Sequence, residues 1–283
     1  TSSNAALGYS SFDVGLESDD SRAINGAPIE KSNRTGSQRS AGSYRTDDNA
    51  SSLVLALPLT QAWGVNDAHG SVTGGSNLEY EAESGSSNSS SEWKWDGSSR
   101  YFGSGDYIDY NDSSLVIGTG DYTVECWCYW DDAYSGGGGM NRNYLWDMQE
   151  SGVSNAKSYQ RLFLDGTGGS TAHLYTMDDD GSDSSLSVWS AFPKNEWIHV
   201  AQVRSSGTIK TYVNGIERHS HTFTENINAG QFTIGGSEHG GFGSWSGYIT
   251  NFKVYTSAIY TAGFTPASAP KDFSVSNLIA AEG

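Results

Sequence analysis

Aromatic side chains are the groups in this sequence best placed to do chemistry. There are 9 Trp and 16 Tyr, more than a core alone requires. A ring face is an apolar platform, and a Trp N–H or Tyr hydroxyl beside it is a polar handle. That combination suits sugars, which stack their apolar faces on rings and turn their hydroxyls to Asp, Asn and backbone groups. Trp127 and Tyr129 are candidates because they fall on one face of an alternating run. Tyr134, in the glycine-rich stretch 131–143, and Phe242 and Trp245, in Gly240-Gly-Phe-Gly-Ser-Trp245, are candidates for another reason. Glycine-flanked loops are where side chains face a partner. Trp127 fits an inter-strand core position equally well, and Trp197 is expected in the core.

Other reactive groups are sparse. Retaining cleavage of a glycosidic bond needs two carboxylates about 5 Å apart on one face. Glu125 sits mid-strand, but its same-face neighbours are Thr123 and Trp127. No Ser-His-Asp arrangement stands out, so catalysis is not expected. His219 and His221 share a strand face, which is compatible with a metal, although a solvated pair is the expected state. Cys126 and Cys128 are the only two cysteines. Two apart on a strand, they point the same way near the upper distance limit for a bridge, and are expected as free thiols filling core space. Asp178, Asp180 and Asp183 lack the terminal bidentate Glu of a calcium loop and are expected to form a solvated turn.

The elements that must carry these groups read as strands. Tyr122, Val124, Cys126 and Cys128 point one way; Thr123, Glu125, Trp127 and Tyr129 point the other. The first set suits a core between sheets, the second a partly open face. Leu53, Leu55 and Leu57 share a face of a first strand, ended by Pro58. Residues 197–204 alternate as well. Asn214-Gly215, between runs 209–213 and 216–219, is a strong hairpin signal. Further strands are expected at 92–96, 101–102, 144–148, 161–164, 173–177, 232–234 and 248–255. Residues 84–91 read as a low-complexity surface loop, and Ala258 to Tyr260 as a short helical turn. Short strands at regular spacing with Gly, Asn and Asp turns give an all-β, two-sheet antiparallel sandwich.

Several stretches, in order, carry a family resemblance. They are Phe102-Gly-Ser-Gly-Asp-Tyr-Ile108, then Gly118-Thr-Gly-Asp-Tyr-Thr-Val-Glu-Cys-Trp-Cys-Tyr129, then Asn195-Glu-Trp-Ile-His-Val-Ala-Gln-Val-Arg204. Gly207-Thr-Ile-Lys-Thr-Tyr-Val-Asn-Gly215, Phe232-Thr-Ile-Gly-Gly236 and Gly247-Tyr-Ile-Thr-Asn-Phe-Lys-Val-Tyr255 follow. Over residues 53–266 the chain resembles the laminin G-like branch of the concanavalin A-like lectin/glucanase superfamily. The resemblance implies a jelly roll. The glucanase branch usually places E-x-D-x-x-E on one strand, a string this chain lacks. In related domains the loop after the first strand often reads D-x-S-G-x-G and helps hold a structural calcium. Asp67 and Gly70 match it loosely, which makes them calcium candidates by resemblance. The Asp that often follows Gly-Tyr-Ile in the last strand is replaced by Thr250 and Asn251. The opening Ser52-Leu-Val-Leu-Ala-Leu-Pro58 and the ending Ala258-Ile-Tyr-Thr-Ala-Gly-Phe-Thr-Pro266 resemble the versions found in virion proteins of tailed phages, especially marine ones.

Charge and composition set the partners. The formal net charge is −17, which argues against a nucleic-acid footprint, since that is a basic stripe. No apolar run approaches a membrane span, and no charged-then-apolar signal opens the sequence. Residues 1–52 are polar and cannot bury enough surface to fold alone. Their mixed charge suits a protein partner. The expected organisation is an extended anchoring arm at 1–52, a laminin G-like jelly roll at 53–270 and a tail at 271–283. The expected role is a virion surface protein, a capsid decoration or a tail or fibre component, present as a homo-oligomer or in many copies in an assembly. Other virion proteins would be its partners through the arm, and host surface glycans through the aromatics. The alternative is a secreted or cell-surface lectin.

Overall fold

The computed structural model describes residues 49–61, 67–68, 78–95, 97–131, 142–149, 158–165, 172–178, 184–236 and 243–268. Among the described residues fifteen strands follow in order. They are β1 Leu53–Leu57, β2 Tyr80–Ser84, β3 Ser87–Ser89, β4 Ser99–Phe102, β5 Tyr107–Asn111 and β6 Tyr122–Trp130. Then come β7 Arg142–Gln149, β8 Ser158–Asp165, β9 Ala172–Asp178, β10 Ser184–Phe192 and β11 Trp197–Ser205. The last are β12 Thr208–Val213, β13 Ile216–Thr222, β14 Gln231–Ile234 and β15 Gly247–Tyr255. Sheet A runs β13-β12-β11-β6-β15-β4-β3, with β1 alongside β15. Sheet B runs β10-β9-β8-β7-β14-β5-β2. The ladders between these strands are antiparallel, and the two sheets form a jelly-roll sandwich. No helix among the described residues is long and apolar enough to cross a membrane.

The expected alternation of β6 holds. Tyr122, Val124, Cys126 and Cys128 enter the core between the sheets, with Leu55, Ile198 and Val200 beside them. Sheet B meets them with Trp146, Met148, Leu162, Leu164, Phe232 and Ile234. Each fully buried aliphatic or aromatic side chain of this kind contributes about 1.5–3 kcal/mol relative to exposure. The two cysteines are free and buried. One polar chain crosses the core: the Tyr122 hydroxyl donates to Gln202 Oε1 at 2.9 Å, and Gln202 Nε2 donates to Thr176 Oγ1 of sheet B at 2.9 Å.

Two bulges decide which side chains reach the outer face of sheet A, the face turned away from sheet B. In β15 the register shifts between Thr250 and Lys253, and Asn251 between them has φ +54°. An extra residue reverses the phase of alternation. Ile249, Phe252 and Val254 therefore all enter the core, while Lys253 and Tyr255 turn outward. In β1 a shift between Leu53 and Leu55 has the same effect. Leu55 and Leu57 join the main core, but Leu53 packs outside with Ala56 and Tyr255. The expectation that the three leucines share a face is corrected by that bulge.

Other local expectations are also corrected. Residues 92–95 form bends rather than a strand, and Ser87–Ser89 within the supposed loop pairs with β4. Residues 258–260 are not helical; they belong to an extended strap, residues 256–268, laid across sheet A. The Asn214-Gly215 hairpin turn forms as expected, with φ +51° and +77°.

Candidate functional site

The outer face of sheet A carries two adjoining features. The first is a buried polar cluster. Glu125 on β6 is 4% exposed. Lys253 Nζ donates to its Oε1 at 3.1 Å, and the Tyr260 hydroxyl donates to its Oε2 at 2.7 Å. His199 Nε2 lies 3.3 Å from Oε2. Burial alone would raise the carboxyl, but Lys253, His199 and Tyr260 together hold it well below the ordinary carboxylate range. The strap roofs this cluster. Thr123 Oγ1 donates to the Ser257 carbonyl at 2.8 Å and accepts from the Ile259 N–H at 3.1 Å. Phe264 stacks on Tyr260 with 3.5 Å between centroids and meets His199 and Tyr212 edge-on. Its N–H donates to the Gly215 carbonyl at 2.9 Å. The half of β6 expected to be partly open is thus closed over Thr123 and Glu125.

The second feature is a cleft of about 530 Å³ beside the strap. Its walls are three indoles: Trp127 from β6, Trp197 from β11 and Trp95 from the bend before β4. Trp95 meets Trp127 edge-on at 5.3 Å between centroids. Lys94 and Asn214 supply polar ends, and residues 266–268 of the strap form the rim. Lys94 Nζ stands 3.9 Å above the Trp127 ring. Asn214 is clamped in place: its Oδ1 accepts from the His199 N–H at 2.9 Å, and its own N–H donates to the His199 carbonyl at 2.8 Å. The next aromatics on the same face continue the surface, Tyr129 lying 5.7 Å from Trp197 and 5.6 Å from Tyr248. Burial raises the Tyr129 phenol, with Glu92 adding to it. Trp93 is 51% exposed next to Lys94 in the chain.

The structure sorts the expected site residues. Trp127 and Tyr129 lie on the outer face, but the expectation that this part of the face leaves them exposed is corrected: neighbouring rings and Lys94 cover them to 8% and 9% exposure. Trp127 lines the cleft, and Tyr129 belongs to the adjoining row. Trp245 is fully buried in the main core, its Nε1 donating to the Tyr129 carbonyl at 3.2 Å. The expectation that it faces a partner is corrected: the indole packs in the main core, and its N–H finds a backbone acceptor there. Trp197 is corrected in the other direction, being half-buried on the outer face rather than in the core. Tyr134, Phe242 and Gly70 lie outside the described residues. Asp67 is buried, and its two carboxylate oxygens accept from the Ala56 N–H at 2.9 Å and the Leu78 N–H at 2.7 Å. It thereby ties β1 to the segment before β2. Among the described residues no group of three or more His, Cys, Asp or Glu converges to hold a metal.

Lys94, Trp95, Trp197 and Asn214 were the site residues missed. The Trp-Lys-Trp pattern at 93–95 was the available signal; its aromatic alternation reads as a strand. On the outer face of sheet B a further polar row crosses the strands: Asp109, Thr233, Asp147 and Arg161 stand opposite one another in register. All four are buried, and Arg161 Nε lies 3.5 Å from Asp147 Oδ2.

Comparison with known proteins agrees with this architecture. A comparison with curated protein sequences finds no match. Among solved structures, domain 4 of AbnA, an extracellular arabinanase from Geobacillus stearothermophilus in complex with arabinotriose, superposes with a TM-score of 0.52 at 16% identity. The match covers 74% of this chain and 94% of that one. The botulinum neurotoxin serotype D binding domain gives 0.52 at 15% identity, covering 76% of this chain and 50% of that one. Trypanosoma rangeli sialidase in complex with sialic acid gives 0.52 at 15%, covering 74% of this chain and 31% of that one. At such identities the likeness is one of fold. The family model of the concanavalin A-like lectin/glucanases superfamily, in its laminin G-like form, matches residues 102–262, more than half of the sequence. With the strand order and the two-sheet core above, the chain belongs to the laminin G-like family of that superfamily.

Proposed function

We propose that this chain is a non-enzymatic carbohydrate-binding protein, borne on a virion surface, that holds glycans in the indole cleft of sheet A. The observation that carries the binding reading is the cleft itself. Three indoles from separate segments converge on a hollow of about 530 Å³, within the range of about 300–1,000 Å³ usual for ligand sites. The half-buried rings of Trp95 and Trp197 supply stacking surface, Trp127 under Lys94 forms part of the lining, and Lys94 and Asn214 supply directional donors. The arabinotriose complex of the AbnA domain, matched over 94% of its length, is compatible with sugar recognition on this fold.

Titration of tryptophan fluorescence with an oligosaccharide panel tests it. Trp197→Ala is expected to weaken binding about thirtyfold, as removal of an anchoring Trp does. A panel that leaves the fluorescence unchanged overturns the reading.

Two features support a non-catalytic role. Glu125 is enclosed by its three partners and the strap. Asp109 and Asp147 stand on strands separated by β14, so their backbones are about 10 Å apart, twice the strand spacing, and Asp147 faces Arg161. A reducing-end assay on the incubated panel decides the point. Release of sugar overturns the non-catalytic reading and directs attention to Asp109 and Asp147.

The virion placement rests on the sequence: the polar, mixed-charge residues 1–52 suit attachment to neighbouring virion proteins, and the opening and ending of the domain resemble phage versions. Many copies on one particle would add avidity to weak single sites. Deletion of residues 1–52 is expected to abolish particle incorporation and leave the sandwich folded. A full chain found free in the medium and absent from particles favours the secreted or cell-surface lectin instead.

A further inference from the structure

Resting on the glycan reading above, we propose that the cleft selects a sugar residue bearing one anionic group, a carboxylate or a sulfate, over its neutral counterpart. The nitrogen-bearing side chains at the cleft, Lys94 and Asn214, present donors, while the Ser268 hydroxyl on the rim can donate or accept. Lys94 Nζ stands 3.9 Å from the Trp127 ring centroid and 5.9 Å from that of Trp95. Among the described residues it makes no salt bridge. Asn214 commits Oδ1 to the His199 N–H, so its NH₂ is the end left to offer, and among the described residues that group makes no hydrogen bond.

Carboxylate acceptors are the missing half. No Asp or Glu lines the cleft among the described residues, in a chain where Asp and Glu outnumber Lys and Arg 33 to 16. Glu125, the nearest carboxylate to Trp127 along that face of β6, is consumed by Lys253, His199 and Tyr260. Glu92 lies against Tyr129 instead.

A sugar hydroxyl both donates and accepts, so a neutral sugar calls for both kinds of partner; a carboxylate or sulfate only accepts. Donors around an apolar platform, one of them charged, match the second case. Desolvation by partial burial pulls the Lys94 ammonium below its ordinary value. An incoming anion supplies the counter-charge through a charge-assisted hydrogen bond. A single lysine fixes one anionic group per bound segment, and the net charge of −17 disfavours a long polyanion.

The test is a titration of the full chain with three probes of matched length. They are a uronic-acid oligosaccharide, the same oligosaccharide after carboxyl reduction, and a sulfated galactan oligosaccharide. The wild type is expected to bind the uronic acid about tenfold more tightly than its reduced form. Comparing the uronic and sulfated arms tells which anion the cleft takes. Lys94→Gln is expected to bring the acid-to-neutral ratio close to one, with thermal melting confirming the fold. Equal affinity for the uronic, reduced and sulfated probes, with loss of all three in Trp197→Ala, overturns the anion selection and leaves glycan binding standing. No binding of any probe overturns both. An acid preference that persists unchanged in Lys94→Gln overturns the assignment to this cleft.

Discussion

Tyr260 reaches across 135 positions of sequence to donate its hydroxyl to Oε2 of Glu125 at 2.7 Å. The contact joins a buried carboxylate to the strap that closes over it. The strap's docking point is therefore a charge, and where the strap ends the same face opens as the indole cleft. Roof and cleft share the strap, so the integrity of the cluster bears on the shape of the site.

Replacing Glu125 by Gln leaves Lys253 buried without its counter-charge. Removing one partner of a buried pair costs about 3–5 kcal/mol, and urea denaturation of Glu125→Gln is expected to show a loss of that order. The double variant Glu125→Leu with Lys253→Met is expected to recover most of it. A single variant as stable as the wild type would sink the ion-pair account.

The same group sets an acid limit. Its folded-state carboxyl lies below the ordinary 4.5, so as pH falls the unfolded chain takes up the proton first. Its contribution is complete above about pH 4.5 and is lost as pH falls towards the depressed folded value. Urea midpoints measured from neutral pH to pH 3 are expected to drop in the wild type. Part of that drop disappears in Glu125→Gln.

Gly215 is a selective handle on the strap. Its φ is +77°, and a Cβ there would stand 1.8 Å from the Phe264 carbonyl oxygen. Gly215→Ala is expected to lift the strap and to cost at least about 1–2 kcal/mol from the left-handed backbone alone. Limited proteolysis read by mass spectrometry is expected to show cleavage within residues 256–268 while the sandwich stays resistant. Unchanged protection there would mean the strap is held elsewhere.

Asp67 is expected to be structural. Asp67→Asn weakens two charge-assisted bonds to backbone amides, and a loss of about 2 kcal/mol follows. Melting in a chelator and in excess calcium tests the resemblance-based alternative. Equal losses in both buffers support the backbone role. A calcium-dependent gain of the wild type that Asp67→Asn abolishes assigns the metal to this residue.

Much of the sandwich was legible in the sequence because period-two alternation is a local signal. β6, β11 and the Asn214-Gly215 hairpin show it plainly. The bulge at Asn251 was not legible: Ile249-Thr-Asn-Phe-Lys-Val-Tyr255 read by strict alternation puts Lys253 beside Ile249, and only the extra residue sends it to Glu125. β3, Ser87-Asn-Ser89, has no apolar residue, so ladder hydrogen bonds define it and no pattern announces it. Trp-Lys-Trp at 93–95 imitates a strand because two aromatics flank a polar residue, yet these residues bend. The cleft draws on residues 94–95, 127, 197, 214 and 266–268, and its geometry exists only once five segments are assembled. Glycine-flanked Trp245 misled because flanking glycines do not say which way a side chain points, and here the indole lies in the core.

The pairing of β1 with β15 has a mechanical consequence. Leu53 stands opposite Tyr255, and the Thr256 N–H donates to the Ser52 carbonyl at 2.7 Å, so the chain enters the sandwich beside the point where β15 hands over to the strap. A pull applied at Asn49 reaches sheet A first through this five-residue strand. It is resisted there by the β15 ladder and by the Asp67 clamp on Ala56. β1 is thus the fuse at this end of sheet A: its ladder and its clamp set the force at which the strand peels away from β15.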